Sequence, residues 1–253
     1  MKNIAIVLAA GRGKRMNSKV AKQYLLLQNK PVLYYALKQF EDSFIDDIIL
    51  VTGADDIAYC NEEIMEKYGF TKVRRVVVGG KERYHSVYQG LLAAGELLKK
   101  QAGISGGVQS TVDYGKEACI YIHDGARPFI NEEILARARQ SVEQYGSGVV
   151  GMPVKDTIKI VDEAGFAIST PKRSLVWQVQ TPQCFLYSVI MPAYTELITR
   201  ESELLAQGIA ITDDAMVVEL LGGSQVKLVE GSYENIKITT PEDLTVAEGF
   251  LLN

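Results

Sequence analysis

The stretch Lys2-Asn3-Ile4-Ala5-Ile6-Val7-Leu8-Ala9-Ala10-Gly11-Arg12-Gly13-Lys14-Arg15-Met16 has two halves with different physics. The strand expected at 3–8 is continuously apolar from Ile4 to Leu8, without alternation, as expected of a strand buried on both faces of a sheet. Residues 9–15 are small or basic, and Met16 closes the loop. Glycine lets a backbone approach a ligand closely, and consecutive N–H groups in such a loop form an anion nest. A buried strand running into a glycine loop predicts an α/β domain with a ligand at the strand's end. The same run is short for the apolar region of a secretory leader, and Arg12, Lys14 and Arg15 follow it directly, so a first strand is the better reading.

The pattern continues outward from this unit. Lys30-Pro31 leads into an apolar-periodic helix at 32–40, then a strand at 47–51 and a helix at 57–68. A strand at 73–78, Gly79-Gly80 and a helix at 82–99 follow. This alternation predicts a mostly parallel sheet with helices on both faces. Residues 103–116 read as a polar, glycine-rich loop. A strand at 118–122 ends at His123-Asp124, Asn131 caps a helix to about Tyr145, and a strand occupies 148–154. Residues 157–161 and 166–169, joined by Glu163-Ala164-Gly165, read as a β-hairpin inserted at about 155–174 into one domain spanning 1–253. Such a hairpin has bare edges, which a second copy of itself would cover. The core then resumes with a strand at 177–185 and a helix at 188–205. Late strands are expected at 226–229 and 236–238. Pro241 opens a last helix, with Glu242 and Asp243 suited to its first turn.

The whole chain has a net charge of −4, which argues against general nucleic-acid affinity. Its first forty residues contain eight basic and no acidic side chains, leaving −12 on the rest. That local excess suits a small polyanion. Three scattered cysteines, Cys60, Cys119 and Cys184, form no CxxC pair and fit a reducing, cytoplasmic compartment. No stretch reaches the roughly 20 apolar residues of a membrane helix.

The glycine loop excludes two common nucleotide motifs. A dinucleotide loop, G-x-G-x-x-G, needs glycine where Met16 stands, and its ribose-binding acid is missing, since no acid precedes Glu41. A nicotinamide-dependent oxidoreductase is therefore disfavoured. A Walker A loop is absent. A triphosphate loop of the transferase kind remains, made more specific by Ala21-Lys22-Gln23-Tyr24.

With those residues the chain resembles the 2-C-methyl-D-erythritol 4-phosphate cytidylyltransferases of isoprenoid precursor synthesis. The likeness continues through Gly79-Gly80-Lys81-Glu82-Arg83 with Ser86, His123-Asp124-Gly125-Ala126-Arg127-Pro128 and Pro153-Val154-Lys155-Asp156-Thr157. It extends through Gln180-Thr181-Pro182-Gln183, Thr212-Asp213-Asp214-Ala215 and Asn235-Ile236-Lys237-Ile238-Thr239. The resemblance implies a Rossmann-like nucleotidyltransferase fold with a protruding β-hairpin arm. It also implies transfer of a cytidylyl group from CTP to the polyol phosphate with release of pyrophosphate. A ribitol-5-phosphate cytidylyltransferase shares this machinery and is the near alternative.

By the same resemblance, Arg15 and Lys22 stabilise charge at the α-phosphate and leaving group, while Arg173 and Lys237 position the acceptor phosphate. Lys172, adjacent to Arg173, is an alternative clamp. Ala9, Ala10, Gly11 and Gly80 approach the nucleotide through the backbone, Ser86 can hydrogen-bond the cytosine, and Asp124 lies near both substrates. Thr157, Thr181 and Thr212 are hydroxyls of the inferred acceptor pocket, although Thr212 would serve equally as a helix cap. His123 reads as a packed neighbour, because an ionised phosphate nucleophile needs no base. His85 reads as a surface residue. Mg²⁺ is expected on the CTP phosphates, with no protein ligand assigned. The resemblance also implies a homodimer through the arm, with Thr157 and Arg173 reaching the neighbour's pocket.

Overall fold

A computed structural model describes residues 1–11, 20–101 and 118–252. The first strand, β1 (Lys2–Ala9), is buried along nearly its whole length. Ile4 and Ile6 point into one apolar cluster, while Ala5 and Val7 point into another. This is why the run shows no polar alternation: both faces of the strand are covered. A small hairpin, β2 (Leu26–Leu27) and β3 (Lys30–Pro31), leads into α1 (Val32–Asp42). Next come β4 (Asp47–Thr52), α2 (Ile57–Tyr59), β5 (Val73–Val78) and α3 (Arg83–Gln101). The helix expected at 57–68 is present but is α-helical only at its two ends, with wider π-type turns over Cys60–Glu66 between them.

The second half contributes β6 (Ala118–Asp124), α4 (Glu132–Tyr145), β7 (Ser147–Pro153), β10 (Trp177–Leu186), α5 (Tyr187–Ala206), α6 (Asp214–Leu221), β11 (Leu228–Glu230) and α7 (Pro241–Leu251). Between β7 and β10 stand the short strands β8 (Ile160–Val161) and β9 (Ala167–Ser169). Asn131 caps α4 as expected, its side chain accepting from the Ile134 N–H at 3.0 Å. At α7, Pro241 and a Thr240/Asp243 capping box close the first turn.

The central sheet has the order β11-β7-β10-β6-β1-β4-β5. Of its strands only β10 runs against the others. On one face lie α3, α5 and α6, and on the other α1 and α4. The chain passes outward from β1 to β4 and β5, then returns to place β6 on β1's other side. That reversal opens a crevice beyond the carboxyl ends of β1 and β6, where Leu8 is in register with Asp124.

Two expectations need correction. Residues 236–238 form no strand. Ile238 is instead buried with Leu27, Val32 and Ala247 and donates its N–H to the Ala126 carbonyl at 2.9 Å. The apolar spacing there serves packing against α7, with no ladder beside it. The capping alternative for Thr212 also fails, because Asp213 caps α6, accepting from the Met216 N–H at 2.9 Å. The glycine-rich stretch 103–116 lies outside the described residues.

The hairpin expected after β7 is present as β8 and β9, paired antiparallel and hydrogen-bonded to no other described strand. Its apolar side chains are largely uncovered among the described residues: Phe166 is 73% and Ile168 66% exposed. The hairpin's root is tied down. Tyr233 donates to the Pro153 carbonyl at 2.8 Å, and the Lys155 ammonium sits 3.6 Å over the Tyr233 ring.

Candidate active site

At the switch point the ends of β1 and β6 border a cavity of about 220 Å³. Leu8, Ala10, Gly11 and Gly80 line it together with the charged residues Lys22, Lys81, Glu82, Arg83, Asp124 and Lys237. The absence of side chains at Gly79 and Gly80 is a packing requirement. A Cβ on Gly79 would lie 2.7 Å from Ala10 Cβ and from Ser86 Oγ, and one on Gly80 would collide with His85 Cβ. Glycine therefore allows the β5–α3 turn to close against the glycine loop and leaves main-chain groups facing the cavity. The Ser86 hydroxyl accepts from the Gly80 N–H at 3.1 Å, fixing that turn while itself lining the cavity.

Lys22 stands on a single 3₁₀ turn, Lys22–Tyr24, held by its two successors. Gln23 is buried and donates to the Ala9 carbonyl. The Tyr24 hydroxyl meets Thr52 Oγ1 at 2.7 Å and Cys60 Sγ at 3.3 Å. All three cysteines are buried free thiols. The K-Q-Y signature thus places one cation at the cavity and uses two neighbours as anchors.

Asp124 is the electrostatic centre. Its Oδ2 lies 2.7 Å from Lys237 Nζ and 4.0 Å from Arg127 Nε, and its Oδ1 lies 3.5 Å from Arg83 Nε. Burial alone would push this carboxyl up, but the charges of Arg83, Lys237 and Arg127 override it and hold the group far below the usual carboxylate range. Arg127, mostly buried, also donates to the Asn235 carbonyl at 2.7 Å. Buried Asn235 donates in turn to the Thr181 carbonyl at 2.9 Å. These bonds and the Ile238–Ala126 contact hold Lys237 in place without a strand.

His123 is fully buried. Its Nε2 faces the Arg127 carbonyl at 3.0 Å and must donate, so Nδ1 accepts from the Thr181 hydroxyl at 3.0 Å. Burial pushes its pKa down to about 4. Folding therefore keeps this ring neutral while the unfolded chain, near 6.5, takes up a proton. Stability is expected to be intact above about pH 6.5 and to fall as pH drops from there toward 4. Denaturant unfolding at pH 7.5 and 4.5 tests this, since a His123→Gln variant should lack that share of the slope.

The sequence-predicted residues divide into three groups. Lys22, Lys237, Ala10, Gly11, Gly80, Ser86 and Asp124 meet at the cavity, with Ala9 just behind it as the last residue of β1. Arg15 lies outside the described residues. Arg173, Thr157, Thr181 and Thr212 do not line this cavity. Thr181 is buried, its hydroxyl accepting from the Asp124 N–H at 3.1 Å, so it holds the Asp124 main chain. A register shift in β10 between Val179 and Gln183 turns it there. Thr212 is exposed beside α6, and Thr157 and Arg173 lie exposed at the hairpin root, where Arg173 donates to the Lys155 carbonyl at 3.3 Å. His85 is half-buried, not a plain surface residue, and pairs with Glu201 at 3.2 Å. Arg83, Arg127 and Lys81 had no role assigned from sequence; the only signal was their place inside the quoted blocks.

A doubly wound sheet whose switch-point crevice combines a glycine loop with lysines from distant segments defines a nucleotidyltransferase of Rossmann-like fold. The family model described as IspD: 2-C-methyl-D-erythritol 4-phosphate cytidylyltransferase matches residues 3–253. The chain belongs to this family. A protein of Lachnoclostridium phytofermentans with that enzyme's name is 48% identical over 247 residues, 98% of this chain and 95% of its own length. One from Lachnospira eligens is 46% identical, covering 98% of this chain and 99% of its own. The crystal structure of 4-diphosphocytidyl-2C-methyl-D-erythritol synthase from Anaerococcus prevotii superposes with a TM-score of 0.76 at 31% identity, covering 100% of this chain and 96% of that one.

Proposed function

We propose that this protein transfers the cytidylyl group of CTP to 2-C-methyl-D-erythritol 4-phosphate, releasing pyrophosphate and forming the CDP-linked product used for isoprenoid precursors. The observation that carries this reading is the meeting of Lys22, Lys237 and the small residues Ala10, Gly11 and Gly80 at one cavity. An oxygen of the acceptor phosphate attacks the α-phosphorus of CTP, and the bond from that phosphorus to the bridging oxygen breaks as pyrophosphate leaves. The attacking oxygen is already ionised, so no general base is required. The work left to the protein is bringing two anions together and stabilising the charge that develops. Lys22 faces the triphosphate side and Lys237 the acceptor side. Asp124 holds Lys237 between them. Arg15 of the glycine loop supplies a further charge at the α-phosphate, and small side chains there leave main-chain groups to read the base.

Mg²⁺ belongs to the proposed reaction as a partner of CTP. The carboxylates at the cavity are Asp124 and Glu82, and Asp124 is already shared among Lys237, Arg83 and Arg127. Among the described residues no three His, Cys, Asp or Glu side chains cluster to cage an ion. This donor set suits an ion held chiefly by phosphate oxygens and water, with at most one protein carboxylate. When bound it neutralises the triphosphate.

The assembly proposed is a homodimer through the hairpin, in which Thr157 and Arg173 complete the neighbour's acceptor site. The bare apolar surface of β8 and β9 supports it. Cytoplasmic residence is proposed from the free thiols, and no helix among the described residues is long and apolar enough to cross a membrane. The protein, CTP and Mg²⁺ are to be incubated with 2-C-methyl-D-erythritol 4-phosphate or with ribitol 5-phosphate, and pyrophosphate followed. Release with the first acceptor and not the second is the expected result. Release with ribitol 5-phosphate alone would transfer the assignment to the other acceptor. Tight NAD binding without CTP turnover would remove the transferase reading.

A further inference from the structure

Behind the cavity wall lies an ion pair that the reaction as described leaves unused. Arg83 opens α3, and its Nη1 and Nη2 donate to the two carboxylate oxygens of Asp214 at 2.8 and 2.7 Å. Asp214 is completely buried in the first turn of α6 and also accepts from the Tyr194 hydroxyl. The start of α6 is itself fixed: Gln183 donates to Asp213 at 3.0 Å and accepts from the Ala215 N–H at 2.7 Å. Asp214 is thus a rigid anchor, and the guanidinium clamped on it borders the cavity.

The clamp decides what Arg83 can do to Asp124. With both terminal nitrogens on Asp214, only Nε faces Asp124, at 3.5 Å, the outer limit of a hydrogen bond. Lys237 holds the other Asp124 oxygen at 2.7 Å. An unclamped guanidinium would make a forked pair with Asp124, the stronger geometry, against which a lysine is only a point charge. Asp124 would turn toward α3 and Lys237 would lose its partner. Charge points the same way. Arg83, Arg127 and Lys237 face two carboxylates, Asp124 and Asp214; neutralising Asp214 leaves three cations competing for one.

We infer that Asp214 is a positioning residue for the transfer: by clamping Arg83 it reserves Asp124 for Lys237 and so fixes the acceptor-side cation. The inference rests on the proposed reaction, and wild-type turnover is therefore measured first. Without it both readings fall. With it, Asp214→Asn, Arg83→Gln and the double variant are compared. Asp214→Asn should lower kcat about tenfold or more and change KM for CTP less than about threefold, because the Gly80 and Ser86 side of the pocket is untouched. The double variant should be no worse than Arg83→Gln, since both changes act through one guanidinium. Asp214→Glu should recover part of the loss. Additive losses, or a kcat unchanged in Asp214→Asn, would overturn the inference while leaving the reaction standing. Should Asp214→Asn fail to fold, Tyr194→Phe decides. That change removes only the second donor to Asp214, and kcat should fall about threefold or more with KM for CTP held; an unchanged kcat would overturn the inference.

Discussion

Lys22→Ala and Lys237→Ala are each expected to lower kcat on the order of 10²-fold or more, the scale of removing one preorganised donor from a charge-developing centre. The two should separate in KM. In the proposed reaction Lys22, next to the glycine loop, serves the triphosphate, whereas Lys237, which lines the same cavity and pairs with Asp124 at 2.7 Å, serves the acceptor. Losing Lys237 should therefore raise KM for the acceptor more than for CTP, and losing Lys22 the reverse. Neither should unfold the chain. The Lys22 turn keeps its Gln23 and Tyr24 anchors, and the Lys237 segment keeps Asn235 and Ile238 in the core. Steady-state kinetics with each substrate varied, beside thermal unfolding, provide the check. Near wild-type turnover in both variants would remove the assignment of the cavity as the site of transfer.

What was readable in the sequence follows from where the determining forces are local. The double burial of β1, the Gly79-Gly80 punctuation and the Asn131 cap depend on side chains within a few positions of each other, so their signals survive in one dimension. The hairpin was readable because residues alternate and turn over a dozen positions. Lys237 shows the limit. Ile236 and Ile238 have strand spacing, yet whether a ladder forms depends on a neighbouring strand, and Ile238 packs against α7 instead. Thr212 and Asp213 are both good caps, and adjacency leaves sequence unable to choose; the side-chain bond to Met216 N–H belongs to Asp213. Thr181, expected as an acceptor-pocket hydroxyl, is engaged by the Asp124 main chain and His123. The Arg83–Asp214 clamp was the least legible part, because its partners sit on α3 and α6, far apart in the chain and joined only through the folded sheet.

The shared-site dimer makes the second large prediction, a recovery of activity from two inactive proteins. Within one chain Arg173 is exposed at the hairpin root and absent from the cavity lined by Lys22 and Lys237. Leu175, beside it, is 76% exposed. A two-stranded ribbon carrying such apolar surface is marginal in water, and an identical neighbour related by a two-fold axis covers it at no cost in new sequence. Each acceptor site would then combine Lys22 and Lys237 of one subunit with Arg173 of the other. Arg173→Ala and Lys22→Ala homodimers have no intact site and should be nearly inactive. In a heterodimer of the two, one site carries both lesions and the other carries neither. Random reassortment makes half the dimers heterodimeric, so an equal mixture should regain about a quarter of wild-type activity. Co-refolding the two variants with separable tags, purifying the doubly tagged species and measuring its turnover isolates the effect; that species should reach about half of wild type. An active monomer, or verified heterodimers that stay as inactive as their parents, would place Arg173 in its own subunit's site or outside the reaction, and the arm would then be an interface without a chemical role.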